Sequence, residues 1–166
     1  MKFLLNIVGI HNLLLTLITE IVFKNCIMYT KCQRKIILKF INNNEGNLFI
    51  DEKVLNDPLD SQIQIEIDYA GINRADILQR KGHYPPPKGE SEIIGLECSG
   101  KVSKLGRLVK KFSLGDHVCA ILAGGGYAEF VNVDEKQVMP LPSNLNSLEA
   151  GGLPETTLTV YENIFN

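Results

Sequence analysis

The chain has 166 residues, of which 45% are hydrophobic, and a formal net charge of −2. This length and this apolar share are enough to bury one hydrophobic core. The near-neutral charge, with no basic stripe interleaved with aromatic residues, argues against a nucleic-acid partner. Four scattered cysteines in a chain of this length do not form a disulfide framework, so we expect a cytoplasmic protein.

The first segment, residues 3–23, is largely apolar but is interrupted by Asn6, His11, Asn12 and Glu20. A carboxylate inside a membrane-spanning helix costs about 2–3 kcal/mol, which argues against a transmembrane segment. A signal peptide is also disfavoured, because no cleavage site with small residues follows the apolar stretch. We interpret residues 1–27 as an apolar extension outside the folded domain. A membrane anchor formed by residues 3–23 is the alternative.

Past residue 28 the sequence consists mostly of short strands separated by turn-forming residues. The predicted strands are Lys35–Ile41, Leu48–Lys53, Ile63–Tyr69, Ser99–Leu105, Val118–Leu122 and Tyr127–Val133. Pro140 and Pro142 should end the strands, because proline lacks the backbone N–H that a ladder needs. Ser147 can then cap a new helix. Many short strands at this spacing predict a mainly β fold, namely a partly open barrel with short helices.

One short helix is expected between the third and fourth predicted strands. Asn73 suits its N-cap, and Asp76, three residues later, completes a pattern close to a capping box. Gly82 can adopt the left-handed conformation that ends a helix. The residues after it, His83–Pro87, should form a stiff extended loop, since proline fixes φ and disfavours helix at the preceding residue. This loop holds Tyr84 at the edge of the surface that the helix borders.

These features occur in an order that resembles a known superfamily. The motifs are G-I-N-R-A-D at 71–76, R-x-G-x-Y-P-x-P at 80–87, G-L-E-x-S-G at 95–100, F-x-x-G-D-x-V at 112–118, G-G-x-Y-A-E-x-V at 124–131 and L-P-E-T at 153–156. The series resembles the medium-chain dehydrogenase/reductase superfamily, and within it the zinc-independent, p53-inducible quinone oxidoreductase-like group. The resemblance covers residues 35–165. It implies a GroES-like catalytic domain at residues 28–146 and, at residues 147–166, the start of a helical connection.

Two residues separate this sequence from the zinc-dependent alcohol dehydrogenases. In those enzymes a cysteine stands where this chain has Asn73, and a histidine where it has Leu96. Catalytic zinc takes three protein ligands from Cys, His and carboxylate side chains, which an asparagine amide and a leucine cannot supply. The four closely spaced cysteines of the structural zinc lobe are missing too. The resemblance therefore implies a metal-free enzyme.

The cofactor-binding motif of the superfamily does not occur in this sequence. No G-x-G-x-x-G is present, and a predicted strand, not a helix, follows Gly124–Gly126. We therefore expect that the Rossmann domain, with most of the cofactor surface, is absent from this chain. On this interpretation the chain is the amino-terminal part of an oxidoreductase and is inactive alone. Relatives form homodimers largely through the domain that is missing.

The resemblance also implies what individual residues do. The activity is NADPH-dependent hydride transfer to a quinone or a conjugated carbonyl compound. Tyr84 and Asn73 lie beside the nicotinamide and the substrate, and Thr159 approaches the nicotinamide amide. Asp76 orients a neighbouring arginine or the helix start, and Glu97 forms a pairing contact behind the site.

Each of these residues also has a simpler interpretation. Helix capping alone explains Asn73 and Asp76, and Tyr84 can be an amphipathic residue at a rim. Thr159 can be an ordinary helix residue. A second function therefore stays open: a stand-alone GroES-like β-barrel that acts as a non-catalytic binding or interaction module, since fold alone does not fix function.

Overall fold

The computed structural model describes residues 37–44 and 47–165, in which strands outnumber helices. The strands are β1 (Ile37–Asn44), β2 (Asn47–Val54), β3 (Gln62–Tyr69), β4 (Glu97–Leu105), β5 (His117–Ile121), β6 (Phe130–Asp134) and β7 (Val138–Pro140). The helices are α1 (Arg74–Arg80), α2 (Ser147–Ala150) and α3 (Pro154–Phe165), with a short 3-10 turn at Glu135–Gln137. The predicted extension at residues 1–27 lies outside the described residues. No helix among those described is long and apolar enough to cross a membrane.

The strands form two antiparallel sheets that meet at one segment. The larger sheet has five strands in the order β6-β3-β4-β5-β7, and β1 pairs with β2 in a separate hairpin. Residues 127–129 connect the two, because the Ile41 N–H donates to the Tyr127 carbonyl (2.8 Å) and the Ile67 N–H donates to the Glu129 carbonyl (2.8 Å). Within the described residues the sheets do not close on themselves. This confirms the predicted mainly β fold.

The core lies on one face of the five-stranded sheet. Its buried members come from all five strands and the turn after β5: Ile63, Ile65, Cys98, Val102, Val118, Ala120, Leu122, Val131, Val133 and Val138. Fully burying one such aliphatic side chain stabilises the fold by about 1.5–3 kcal/mol. Cys98 pairs across the ladder with Ala120, whereas Cys119 pairs with Ser99. The two thiols therefore face opposite sides of the sheet, and burial raises the pKa of each.

Two predictions about boundaries were wrong. The strand expected from Tyr127 begins only at Phe130, since residues 127–129 divide their hydrogen bonds between the hairpin and the main sheet. The strands end at Pro140 as predicted, because Pro140 is the last residue of β7, an edge strand that tolerates the missing N–H; β7 itself was not among the predicted strands. Asn146, not Ser147, caps α2, and its side chain accepts from the Glu149 N–H at 3.0 Å.

Candidate functional site

The start of α1 places Asn73 as predicted. Asn73 has extended backbone angles (φ −111°, ψ 161°) at the N-cap, and its N–H donates to Asp76 Oδ2 at 2.6 Å. The helix ends where expected: Gly82 has a φ of +71°, and the His83 N–H donates to the Leu78 carbonyl at 2.9 Å. These contacts confirm the N-cap position, the Asp76 arm of the capping box and the glycine stop.

Glu97, the first residue of β4, connects three elements from a buried position. Its side chain is 1% exposed. Its Oε1 accepts from Asn73 Nδ2 at 2.7 Å, and its Oε2 accepts from the Glu155 N–H at 2.9 Å. The second bond satisfies one of the free amides in the first turn of α3, where a carboxylate is favoured. Gly71 leaves room for this carboxylate, because a Cβ at Gly71 would lie 2.6 Å from Glu97 Cδ.

Asp76 is the second buried carboxylate of the site. Its side chain is 3% exposed, and Oδ2 accepts from both the Asn73 N–H and the Tyr127 hydroxyl, the latter at 3.0 Å. Its Oδ1 is buried with no hydrogen-bond partner. Burial raises the pKa of Asp76, the two hydrogen bonds oppose that rise, and the charges of Glu97 and Glu155 add to it. Burial and the neighbouring Asp76 carboxylate also raise the pKa of the Tyr127 phenol.

A tight turn before β4 holds Leu96, the residue that precedes Glu97. Gly95 has a φ of +111°, and a Cβ there would lie 2.7 Å from the Gly126 Cα. Gln79 of α1 secures the turn, because its Oε1 accepts from the Gly95 N–H at 3.1 Å. Leu96 is 5% exposed. The turn therefore presents an apolar, buried side chain at the position next to Glu97.

The structure brings some predicted site residues together and leaves others apart. Asn73, Asp76 and Glu97 form one hydrogen-bonded group. Tyr84 lies on the loop after α1 with its side chain 48% exposed, and Thr159 is exposed on α3. Across the part of the chain that the structure describes, no hydrogen bond joins Tyr84 or Thr159 to the group. The roles expected for these two residues toward a cofactor and substrate stay predictions.

Two residues of the site, Gln79 and Tyr127, were missed at the level of sequence. Tyr127 belongs to the G-G-x-Y-A-E-x-V motif, but nothing in that motif indicates a partner 51 residues earlier in the chain. Gln79 faces the Gly95 turn from the last turn of α1, and helical spacing alone does not distinguish it from a solvated glutamine. Both contacts depend on how distant segments pack.

The donor set at this position does not fit catalytic zinc. The Asn73 amide donates to Glu97, and Leu96 offers no donor atom. No group of three or more His, Cys, Asp or Glu side chains that could hold a metal exists among residues 39–43 and 47–165. Cys26 and Cys32 lie outside these ranges.

Comparison with known proteins identifies relatives of this fold. Residues 59–143 match the family described as "Alcohol dehydrogenase GroES-like domain". The chain is 30% identical over 120 residues to the synaptic vesicle membrane protein VAT-1 homolog-like of Mus musculus, a match that covers 72% of this chain and 29% of that protein. It is 38% identical over 106 residues to Quinone oxidoreductase 1 of Escherichia coli, covering 63% of this chain and 32% of that protein.

A solved structure shows the same fold. The Escherichia coli quinone oxidoreductase complexed with NADPH matches with a TM-score of 0.64 and 29% identity, over 79% of this chain and 41% of that chain. The chain thus spans less than a third of the length of the two curated relatives named above. Because the family match extends over about half of the residues and the solved fold agrees, the chain belongs to the alcohol dehydrogenase GroES-like domain family of the medium-chain dehydrogenase/reductase superfamily.

Proposed function

We propose that this chain forms the substrate side of an NADPH-dependent quinone oxidoreductase that works without zinc. The observation that carries the proposal is the hydrogen bond from Asn73 Nδ2 to the buried Glu97 (2.7 Å), with the buried Leu96 beside it. An amide and a leucine occupy the positions where zinc-dependent relatives place metal ligands. The names of the Escherichia coli relatives support quinone as the substrate class and NADPH as the cofactor.

NADPH supplies the hydride in such a reaction, and the protein supplies position and electrostatic support. Tyr84 would donate a hydrogen bond from its phenol to the oxygen of the acceptor that gains negative charge. Asn73, held by Glu97, would border the same pocket with a fixed orientation. Thr159 would contact the nicotinamide amide. The half-exposed side chain of Tyr84 and the exposed one of Thr159 leave both hydroxyls accessible to a ligand.

The rest of the cofactor needs a different structural unit. A dinucleotide pyrophosphate binds where a Gly-rich turn follows a strand and opens a helix, and no described segment of this chain has that arrangement. We therefore expect turnover only when a dinucleotide-binding domain is joined to this one. Homodimerisation would run largely through that second domain.

The test compares two purified proteins in an assay of NADPH oxidation with benzoquinone. One is the 166-residue chain. The other is the same chain followed by the dinucleotide-binding domain of the Escherichia coli quinone oxidoreductase. We expect quinone-dependent oxidation only in the second protein. Turnover by the 166-residue chain would overturn the need for a second domain.

Matched variants of the two-domain protein test the residue roles. Tyr84→Phe removes only the phenol oxygen, and we expect kcat to fall by about tenfold or more. The control is Tyr161→Phe, which changes an exposed tyrosine of α3 and should leave the rate unchanged. Equal rates in all three proteins would contradict the role of Tyr84. Absence of both turnover and NADPH binding would favour the alternative, a non-catalytic binding module.

A further inference from the structure

Two backbone hydrogen bonds and one ring contact fix the position of Tyr127. Its N–H donates to the Ile94 carbonyl (2.9 Å), and its carbonyl accepts from the Ile41 N–H (2.8 Å). Its ring lies so close to Gly95 that a Cβ on that glycine would be 2.8 Å from Tyr127 Cδ1. The hydroxyl therefore approaches the start of α1 from a rigid support.

The hydroxyl of this tyrosine meets the same oxygen that holds the N-cap residue. Asp76 Oδ2 accepts from the Tyr127 hydroxyl at 3.0 Å and from the Asn73 N–H at 2.6 Å. Asp76 Oδ1 has no partner, so the contacts of this carboxylate among the described residues converge on one atom. Removing one donor therefore changes how strongly, and in which direction, this oxygen accepts from the other donor.

We propose that Tyr127 is a positioning residue, which holds Asn73 at the substrate pocket through the carboxylate of Asp76. Its hydroxyl donates to Asp76, Asp76 holds the backbone of Asn73, and Glu97 holds the side chain of Asn73 from the other side. The role of Asn73 toward a substrate rests on the proposed function. The link from Tyr127 to Asn73 rests on geometry alone.

The charges around Asp76 explain why this donor matters. The acidic groups that face Asp76 are Glu97 from β4 and Glu155 from α3, and both disfavour its ionised form, as burial does. The Asn73 N–H and the Tyr127 hydroxyl stabilise the ionised form. Removing the hydroxyl should therefore raise the pKa of Asp76 further. On acidification, Asp76 should then become neutral at a higher pH than in the unmodified chain, and its hydrogen bond with the Asn73 N–H should weaken at that pH.

The test is a pH titration of the full chain by NMR, with the backbone N–H of Asn73 as the reporter. We expect its chemical shift to follow the ionisation of Asp76. In Tyr127→Phe, which keeps the ring, the midpoint should move to higher pH, whereas Tyr161→Phe should leave it in place. Asp76→Asn should abolish the transition and so assign it to Asp76. An unchanged midpoint in Tyr127→Phe would show that the tyrosine only fills space and would overturn the proposal.

Two further measurements test the link between Tyr127 and Asn73. If Tyr127→Phe does not fold, the ring carbon shifts of Tyr127 in the unmodified chain must share the midpoint of the Asn73 N–H, and a different midpoint overturns the link. In the two-domain protein, Tyr127→Phe should lower kcat roughly three- to tenfold with little change in KM. If the midpoint moves but neither Tyr127→Phe nor Asn73→Ala changes kcat, the proposed function fails and the link stands.

Discussion

Asn73 is held by two buried carboxylates, one on its backbone and one on its side chain. The position of an N-cap asparagine could be predicted from the sequence, because capping depends on residues three apart. The Glu97 contact could not, because it joins residues 24 positions apart in the sequence, and local patterns do not predict that they approach each other. The same contact gives the amide a fixed orientation.

The first prediction concerns the bond from Asn73 to Glu97. Asn73→Ala leaves a buried carboxylate oxygen without its side-chain donor, which should lower the free energy of unfolding by about 1–3 kcal/mol. Urea denaturation of the 166-residue chain measures this loss. Asn163→Ala removes an exposed amide that bonds to the Thr159 carbonyl, and its effect should stay within about 0.5 kcal/mol. Equal losses in both variants would contradict the structural role given to Asn73.

At the scale of elements, the turn from Gly95 to Glu97 positions the site. Gln79 of α1 accepts from the Gly95 N–H, and the Gly126 N–H donates to the Gly95 carbonyl at 3.0 Å. The strand that follows was predictable from its residues, but the turn's contacts with α1 and with residues 124–127 were not. Likewise, the short edge strand β7, which ends at Pro140, was not predicted, because three residues are too few to show strand alternation.

The second prediction compares two glycines with positive φ. At Gly95 (φ +111°), a Cβ would lie 2.7 Å from the backbone of Gly126, so Gly95→Ala adds a clash to the conformational strain. We expect a loss of about 3 kcal/mol or more. At Gly115 (φ +86°) a Cβ meets open space, so Gly115→Ala should lose only about 1–2 kcal/mol. Thermal unfolding of the two variants compares them, and similar losses would mean that the close approach at Gly95 does not constrain the turn.

For the whole molecule, the number and approximate position of six of the seven strands follow from alternation and turn residues. The sheet order β6-β3-β4-β5-β7 does not, because several pairings of short strands bury similar apolar faces. The bond between Tyr127 and Asp76 depends on that order, since it joins the segment before β6 to the helix after β3. The family resemblance supplied the fold where local patterns could not.

The third prediction concerns the pH dependence of stability. The pKa of Asp76 is raised above its ordinary value of 3.8, so the folded state binds more protons than the unfolded state above that pH. The stabilising contribution that the raised pKa of Asp76 makes to folding is therefore fully present below pH 3.8. It is lost as pH rises through the folded-state pKa. Asp76→Asn, which keeps both hydrogen bonds to Oδ1 of the amide, should gain stability relative to the unmodified chain as pH rises.

A control of opposite sign is available in the same chain. The Arg107 guanidinium lowers the pKa of the half-exposed Asp60, so Asp60 stabilises the fold above pH 3.8 and loses this effect in acid. Asp60→Asn should therefore lose stability relative to the unmodified chain as pH rises. Urea unfolding at several pH values checks both variants. The same slope in both would contradict the assignment of a raised pKa to Asp76.

The central claim, a metal-free hydride-transfer site, is tested most directly by one rate measurement. The rate of benzoquinone-dependent NADPH oxidation is measured in the two-domain protein before and after removal of divalent metals by a chelator. We predict that the rate is unchanged, because Asn73 and Leu96 supply no zinc ligand. A rate that disappears with the metal and returns with Zn²⁺ would contradict the account.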